Sequence, residues 1–173
     1  MPSGTVHERV NLIALLAAAG VRYALSPGEP PAPAEVAFVT GYTIGTLWVT
    51  PDLDFANAHP VRALRNWGKL GFLWKPYGYL FRHRGLSHTY LLGPLTRILY
   101  LMVLAALLLA LVSPSLVEAV IREGPRALPS PLDQPAVWWW GLAGYYVAQW
   151  LHLILDGIRP GGRRRKRAVH GER

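Results

Sequence analysis

Apolar and polar residues alternate along the chain in long blocks, which predicts four main helices. Apolar residues dominate the segments 10–25, 36–49, 91–112 and 137–154. Arg22 interrupts the first segment, and a stretch rich in proline, 26–33, separates it from the second. No segment shows the short two-residue alternation of a strand, so the pattern predicts an all-α fold.

The lengths of these segments favour a membrane protein. A helix needs about 20 apolar residues to cross the hydrocarbon of a bilayer. Segments 91–112 and 137–154 come close to or exceed this length, and the latter opens with three tryptophans, as is typical of a membrane interface. Segments 10–25 and 36–49 are short, so a half-buried or re-entrant hairpin is an alternative, as is a cleavable signal peptide for the first. We expect a four-helix integral membrane bundle.

Composition supports this expectation. Of the 173 residues, 51% are hydrophobic and only 16% are charged, whereas soluble domains carry roughly 25% charged residues. The apolar fraction excludes a disordered chain, and the low charge argues against a water-soluble fold. We expect one membrane-embedded domain over 1–160 and a basic, disordered cytoplasmic tail over 161–173.

The positive charge is concentrated on one side of the predicted bundle. If all four segments span, fourteen of the 18 Lys and Arg residues fall on the side that holds both termini and the loop 51–90. The positive-inside rule places that side in the cytoplasm. The sequence thus predicts a multi-pass inner-membrane protein with both termini cytoplasmic, and topology accounts for most of the net charge of +8.

The loop 51–90 interleaves cations with aromatic rings, which predicts an amphipathic, interfacial helical loop. These residues are Arg62, Arg65, Trp67, Lys69, Phe72, Trp74, Lys75, Tyr77 and Tyr79. A nucleic-acid groove uses the same residue types, but the flanking spans favour the lipid bilayer as partner. We expect the loop and the basic tail to contact anionic lipid headgroups and no nucleic acid.

Residues that bind metals occur at the ends of the apolar segments, on the predicted cytoplasmic side. They are His7, Asp52, Asp54, His83, His88, His152 and Asp156. The predicted outer connections contain no histidine, and the chain has no cysteine. Imidazole and carboxylate without thiolate suit zinc, manganese or iron. The sequence therefore predicts a divalent metal site at the cytoplasmic surface, most simply a zinc site.

The spacing of the acidic residues narrows the candidates. His152 and Asp156 are four residues apart and share one helix face, although a polar pair that faces headgroups has the same spacing. Pro51 ends the preceding helix. If the next residues are extended, the Asp52 and Asp54 carboxylates point the same way. If they are helical, only one is a ligand, and one could cap a helix instead. We favour Asp52 as ligand and Asp54 as a second ligand or a neighbouring partner.

The stretch His83-Arg84-Gly85-Leu86-Ser87-His88 leads into the third apolar segment. We expect Gly85 to allow a turn and Ser87 to cap the third helix, which leaves His88 in its first turn as a ligand. His83 is then a ligand or a contact to substrate. Arg82 and Arg84 favour a phosphate or carboxylate substrate, or serve topology alone. His7 shares the same side, although a terminal histidine is often merely solvated.

The order of these motifs resembles a known group of proteins. The motifs are Pro2-Ser3-Gly4-x-x-His7, Pro51-Asp52-Leu53-Asp54, Trp74-Lys75-Pro76-Tyr77, His83-Arg84 with Ser87-His88, and His152-x-x-x-Asp156. Together they resemble a family of small integral-membrane metal-binding proteins of unknown function, itself similar to bacterial membrane-bound metal-dependent hydrolases. The resemblance implies a metal bound by His7, Asp52, His88, His152 and Asp156, with Asp54 and His83 close by. It also implies a distant similarity to zinc-dependent phospholipase C-type helical folds.

The preferred interpretation is a metal-dependent hydrolase that acts at the cytoplasmic membrane surface on a phosphoester or lipid-like substrate. A divalent ion acidifies water and polarises the scissile group, with Asp54 accepting the proton and His83 at the substrate. A non-catalytic metal-binding or metal-handling protein is the main alternative, and its coordination shell would be filled by protein. A transporter would need polar residues deep in the spans. A purely structural protein would not explain why all four apolar segments have histidine or aspartate at their ends on the same side.

Overall fold

The computed structural model describes residues 3–57, 61–81, 83, 85–123 and 134–160, which form helices and connecting turns with no strand among them. Seven α-helices follow one another within these ranges. They are α1 (Gly4–Leu25), α2 (Pro33–Leu47), α3 (Arg62–Trp67), α4 (Lys75–Leu80), α5 (Leu92–Val112), α6 (Pro114–Glu123) and α7 (Pro135–Leu155). Three 3-10 helices, Pro51–Phe55, Gly68–Trp74 and Leu86–His88, connect them. The all-α prediction is confirmed.

The described part of the chain has five α-helices of ten residues or more rather than the four expected. The additional one is α6, which falls where the sequence pattern predicted a loop. Its start has a simple cause: α5 ends at Val112, and Pro114 has the fixed backbone angle suited to the first position of a new helix.

Helices α2 and α7 run parallel and pack through glycines, and they form the most extensive helix pair. A Cβ added to Gly41 would lie 1.9 Å from the carbonyl oxygen of Gly141, and one added to Gly144 would lie 2.0 Å from that of Phe38. Only glycine permits such close backbone approach. Further along, Gly45 lies beside Tyr145 and Gln149. Because α2 and α7 run in the same direction, both helices end on the same side of the molecule.

Helices α1 and α5 run opposite to this pair. The Tyr42 hydroxyl of α2 donates to the side-chain oxygen of Asn11 near the start of α1 (2.9 Å), while Arg22 near its end pairs with Glu35 at the start of α2 (3.0 Å). The Tyr145 hydroxyl of α7 donates to the carbonyl of Pro94 at the start of α5 (3.2 Å). The starts of α1 and α5 therefore meet the ends of α2 and α7, and we call this side the convergent end and the opposite side the far end.

The described residues of the loop 51–90 fold into a cap on the convergent end. Leu53, Trp74 and Tyr77 are fully buried there, beside Val49 from the end of α2 and Ala63 of α3. Trp74 and Tyr77 therefore do not make the expected contact with lipid headgroups, because their rings form the core of the cap. Phe72 and Tyr79 are exposed, in line with the expected amphipathic loop.

By length and composition, one described helix, α5, is able to cross a membrane. The expected bundle of four spans is not supported by this criterion. With 15 residues, α2 is short, and α7 is long enough but carries tryptophans, tyrosines, Gln149 and His152, which lower its mean hydropathy. The buried residues of α5 are confined to its start, at Gly93, Pro94 and Arg97.

Candidate metal centre

Five of the predicted site residues meet at the convergent end. His7 comes from α1, Asp52 from the 3-10 helix after α2, His88 from the 3-10 helix before α5, and His152 and Asp156 from the end of α7. One potential ligand atom each from His7, His152 and Asp156 lies within 4.8 Å of the others, and the same holds for Asp52, His88 and Asp156. Asp156 belongs to both groups and so connects them.

The distances within this cluster are short. Nε2 of His7 lies 3.2 Å from Oδ1 of Asp156, and Nε2 of His152 lies 3.4 Å from Oδ1 of Asp52 and 3.6 Å from Oδ2 of Asp156. The rings of His7 and His152 stack with centroids 3.9 Å apart. Both rings thus direct a nitrogen toward the same carboxylates.

The ends of α1 and α7 explain how His7 and Asp156 reach the centre. Helix α1 begins at Gly4, so His7 lies in an ordered turn and is buried rather than lying ahead of the helix. Helix α7 ends at Leu155 with Asp156 as its C-cap, because Gly157 takes a left-handed conformation (φ 72°) and the amide of Ile158 donates back to the carbonyl of Leu153 (3.0 Å). His152 and Asp156 share one face of α7, as their spacing predicts.

The 3-10 helix Pro51–Phe55 separates the two aspartates. With about three residues per turn, side chains two positions apart point in clearly different directions. Asp52 faces His152, and Asp54 faces the loop that carries His88. The alternative of an extended pair of carboxylates pointing the same way is therefore wrong.

Asp54 holds together a second cluster of side chains. Its Oδ1 lies 2.8 Å from Nδ1 of His83, and its Oδ2 accepts from the Ser87 hydroxyl (2.5 Å) and lies 3.1 Å from Nδ1 of His88. The expectation that Ser87 caps the third helix is wrong, because Ser87 lies in the 3-10 helix Leu86–His88 and bonds to Asp54 instead. The hydroxyl of Thr89 accepts from the amide of Gly93 in the first turn of α5 (2.9 Å).

The buried imidazoles provide a test of whether a metal fits. Since Nδ1 of His88 faces Asp54, its Nε2 is the remaining ring nitrogen, and it is buried without a hydrogen-bond partner among the described residues. Nε2 of His152 is also buried without a hydrogen bond to a described residue, with carboxylate oxygens of Asp52 and Asp156 at 3.4 and 3.6 Å. Leaving buried polar atoms unpaired is costly, and a histidine that binds a metal commonly donates its other nitrogen to a carboxylate. The residues therefore fit a divalent metal ion.

The carboxyl groups of the centre are held in their ionised form. Burial acts to raise the pKa of Asp52, but His152, followed by His88 and His7, outweighs it and lowers the pKa to about 2. Burial also acts to raise the pKa of Asp54 and of Asp156, but neighbouring imidazoles outweigh it and lower both pKa values. All three carboxylates are thus charged at neutral pH, as coordination requires.

Two buried residues to which the sequence analysis gave no role in the site hold the cluster in place. Arg97 and Gln149 are both fully buried. Arg97 donates to the carbonyl of Ser87 and to the side-chain oxygen of Gln149, each at 2.9 Å. Gln149 in turn donates to the carbonyls of Gly45 and Val49 (2.9 Å each). This network joins α2, α5 and α7 to the loop of His88. In the sequence, the signs of this network are the single charge of segment 91–112, Arg97, and the polar Gln149 in segment 137–154.

The remaining predicted residues divide as follows. Asp54 and His83 lie beside the centre and connect to it through His88, as expected of neighbouring partners. Arg82 and Arg84, which the sequence analysis placed beside the site, lie outside the described residues, as does the tail 161–173.

Comparison with known proteins gives the following matches. Residues 2–166 match the protein family described as "Uncharacterized metal-binding protein (DUF2227)". An uncharacterized protein of Aquifex aeolicus (strain VF5) is 39% identical over 67 residues, which cover 39% of this chain and 45% of that protein. The match therefore spans less than half the length of that relative. No solved structure matches the chain.

Proposed function

Because the chain belongs to the DUF2227 family of uncharacterized metal-binding proteins, we propose that it binds a divalent metal ion at the convergent end. The ligands we propose are His7, Asp52, His88, His152 and Asp156. The observation that carries this proposal is the buried, unpartnered Nε2 of His88, in a ring oriented by Asp54 and close to the carboxylates of Asp52 and Asp156. The donor set favours zinc, with manganese or iron as alternatives.

We further propose that the protein is a multi-pass inner-membrane protein with the convergent end and both termini on the cytoplasmic side. The distribution of Lys and Arg supports this orientation. Helix α5 is long and apolar, and large apolar side chains are exposed along α1, α2, α5 and α7. Close glycine packing such as that between α2 and α7 is common between membrane helices. The partners on this proposal are the bilayer and its anionic headgroups.

The reaction we propose is hydrolysis of a phosphoester or lipid-like substrate. A bound divalent ion would supply Lewis acidity for that reaction. Asp54 is a poor proton acceptor, because its oxygens already contact His83, Ser87 and His88 and its pKa is lowered. With Nδ1 of His83 donated to Asp54, its Nε2 is free to accept and return a proton. We therefore assign proton transfer to His83, which is partly exposed, and its orientation to Asp54.

Elemental analysis of the purified protein tests the metal site. The untagged protein in detergent should contain near-stoichiometric zinc, manganese or iron, and His88→Ala and Asp156→Ala should each lose it. Glu35→Gln is the matched control, because Glu35 is a carboxylate at the far end, paired with Arg22, and it should keep the metal. Full occupancy in the double variant would contradict the ligand set, and no metal in the wild type after reconstitution would contradict the proposed function.

The same preparation separates hydrolysis from the alternative of a non-catalytic metal-binding protein. One observation favours the alternative: five side chains are enough to fill a coordination shell. We expect the loaded wild type to hydrolyse members of a panel of phosphoesters. Full metal occupancy without turnover of any of them would favour the non-catalytic role.

A further inference from the structure

A pocket of about 190 Å³ opens beside the metal centre, between the start of α1 and helix α3. Its lining consists of Gly4, Thr5, Asp52, Val61, Arg62 and Arg65. Three of these residues, Gly4, Asp52 and Arg62, also line the narrower cavity that contains His7 and His152. The pocket therefore leads from the surface to a proposed ligand, Asp52.

The two arginines of this pocket differ in their partners. The Nε and Nη2 atoms of Arg62 donate to the two carboxylate oxygens of Glu8 at 3.0 and 3.2 Å. The guanidinium of Arg65, one turn further along α3, is exposed and makes no hydrogen bond or ion pair with any described residue. One guanidinium is therefore held in place, and the other is available to a ligand.

The start of α1 adds further donors. The amides of the first helical turn, at Gly4 and Thr5, have no acceptor within the helix, and the positive end of the helix dipole lies there. A Cβ on Gly4 would lie 3.3 Å from Cβ of Arg62 and 3.7 Å from Oδ2 of Asp52. Glycine at this position thus lets α1 approach both residues closely. Arginine forks and amides of this kind are the usual donors to phosphate oxygens.

We propose that this pocket binds the phosphate group of the substrate, with Arg65 as the residue that contacts it. This inference rests on the proposed function, because the phosphate would lie next to the proposed metal. The carboxylates of Asp52 and Glu8 balance the charges of Arg62 and Arg65 in the metal-free protein. A divalent ion on Asp52 makes the site net positive, so phosphate binds more tightly to the metal-loaded protein.

Calorimetric titration with inorganic phosphate tests the pocket. The full-length protein is placed in phosphatidylcholine nanodiscs and titrated in metal-loaded and metal-free form. Arg65→Gln should weaken phosphate binding at least about tenfold, as loss of a charge-assisted hydrogen bond predicts, and should leave metal content unchanged. Lys69→Gln is the matched control, because Lys69 is an exposed cation in the 3-10 helix that follows α3 and lies outside the pocket. It should change neither phosphate affinity nor metal content.

The outcomes distinguish this inference from the metal proposal. Equal phosphate affinity of wild type and Arg65→Gln at full metal occupancy would overturn the pocket and leave the metal centre intact. Absence of phosphate binding by the loaded wild type would overturn it as well. Phosphate binding that depends on Arg65 in a protein that takes up no metal would support the pocket and overturn the metal proposal.

Two competition arms identify the source of the phosphate. Phosphatidic acid incorporated in the nanodisc should displace inorganic phosphate if the natural ligand is a lipid headgroup. Glycerol 3-phosphate added to the solution should displace it if the ligand is a soluble phosphoester. Displacement of phosphate by either competitor in the wild type, but not in Arg65→Gln, supports the pocket. Displacement that is the same in Arg65→Gln contradicts it.

Discussion

The convergent end of this protein buries polar side chains, whereas the far end exposes large apolar ones. Beside the apolar core of the cap, the convergent end buries many polar side chains: His7, Asn11, Asp54, Ser87, His88, Arg97, Gln149 and His152. Toward the far end large apolar side chains such as Leu16, Val21, Leu107 and Leu111 are exposed. Water-soluble proteins show the reverse. Hydrogen bonds and ion pairs therefore organise the convergent end, and the exposed apolar side chains toward the far end are what supports the proposed position in a bilayer.

Helix α5 contains both situations within one element. Its first turns bury Gly93, Pro94 and Arg97, whereas Leu99, Leu107 and Val112 further along are exposed. The burial of α5 against α7 ends where the polar network ends. A chain that met water along α5 would gain nothing from this row of leucines, but a chain in a bilayer gains from each of them.

The largest effect is expected from a charge placed in the exposed half of α5. Leu107 is 59% exposed, and an aspartate at the centre of a membrane helix costs about 3 kcal/mol of insertion free energy. Leu107→Asp should therefore sharply lower the inserted fraction when the chain is translated with membranes, as measured by glycosylation mapping.

Ser113→Asp provides the matched control for this prediction. Ser113 follows the last residue of α5, where a charge lies near the proposed interface and costs little. It should insert like the wild type. If Leu107→Asp and wild type showed the same inserted fraction, the contrast between the two ends would need a cause other than lipid.

The next effect tests the buried network that joins α2, α5 and α7 to the loop of His88. Arg97→Met leaves the carbonyl of Ser87 and the side-chain oxygen of Gln149 without their donor. Each unpaired buried acceptor costs about 1–3 kcal/mol, so for two acceptors we expect a loss of at least about 2 kcal/mol in unfolding free energy. Metal binding should also weaken, because the loop of His88 loses its support. Thermal unfolding and competition with a metal chelator measure the two effects.

Arg9→Met is the control for this variant. Arg9 is exposed on α1, and its loss should change neither stability nor metal affinity appreciably. Unchanged metal affinity in Arg97→Met, despite a lower unfolding temperature, would show that Arg97 stabilises the helices without positioning His88.

The sequence was sufficient for the features that depend on local pattern. The all-α fold and the boundaries of α5 and α7 follow from long apolar runs. The histidines and aspartates at the ends of the four apolar segments, all on one predicted side, led to the five residues that meet in the centre. Family membership also followed from the order of the motifs, since the match covers residues 2–166.

Features that depend on tertiary contacts could not be predicted from the sequence. The stretch Pro51–Phe55 is compatible with either an extended or a helical form, and the partners of Asp52 and Asp54, which come from distant parts of the chain, accompany the 3-10 form. Trp74 and Tyr77 have the composition of an interfacial loop, yet they form the core of the cap. Arg97 was visible as a lone charge, but its partners at Ser87 and Gln149 were not.

The smallest expected effect concerns the pH dependence of the convergent end in the metal-free protein. The pKa of Asp52 lies at about 2 in the folded protein, against an ordinary value of 3.8. A carboxyl group whose pKa is lowered on folding stabilises the protein above the unfolded-state pKa, and this contribution is lost as the pH falls through the folded-state value. The Asp52 side chain is 20% exposed, and its shift corresponds to about 2 kcal/mol.

We therefore expect the unfolding temperature of the metal-free protein in detergent to fall as the pH is lowered from about 4 toward about 2. Asp54 and Asp156 act in the same direction, since their pKa values are lowered too. Asp52→Asn should show a shallower fall over this range, because it removes one of the titrating groups. A metal-free wild type that became more stable on acidification over this range would contradict a lowered pKa of these carboxyl groups in the folded protein.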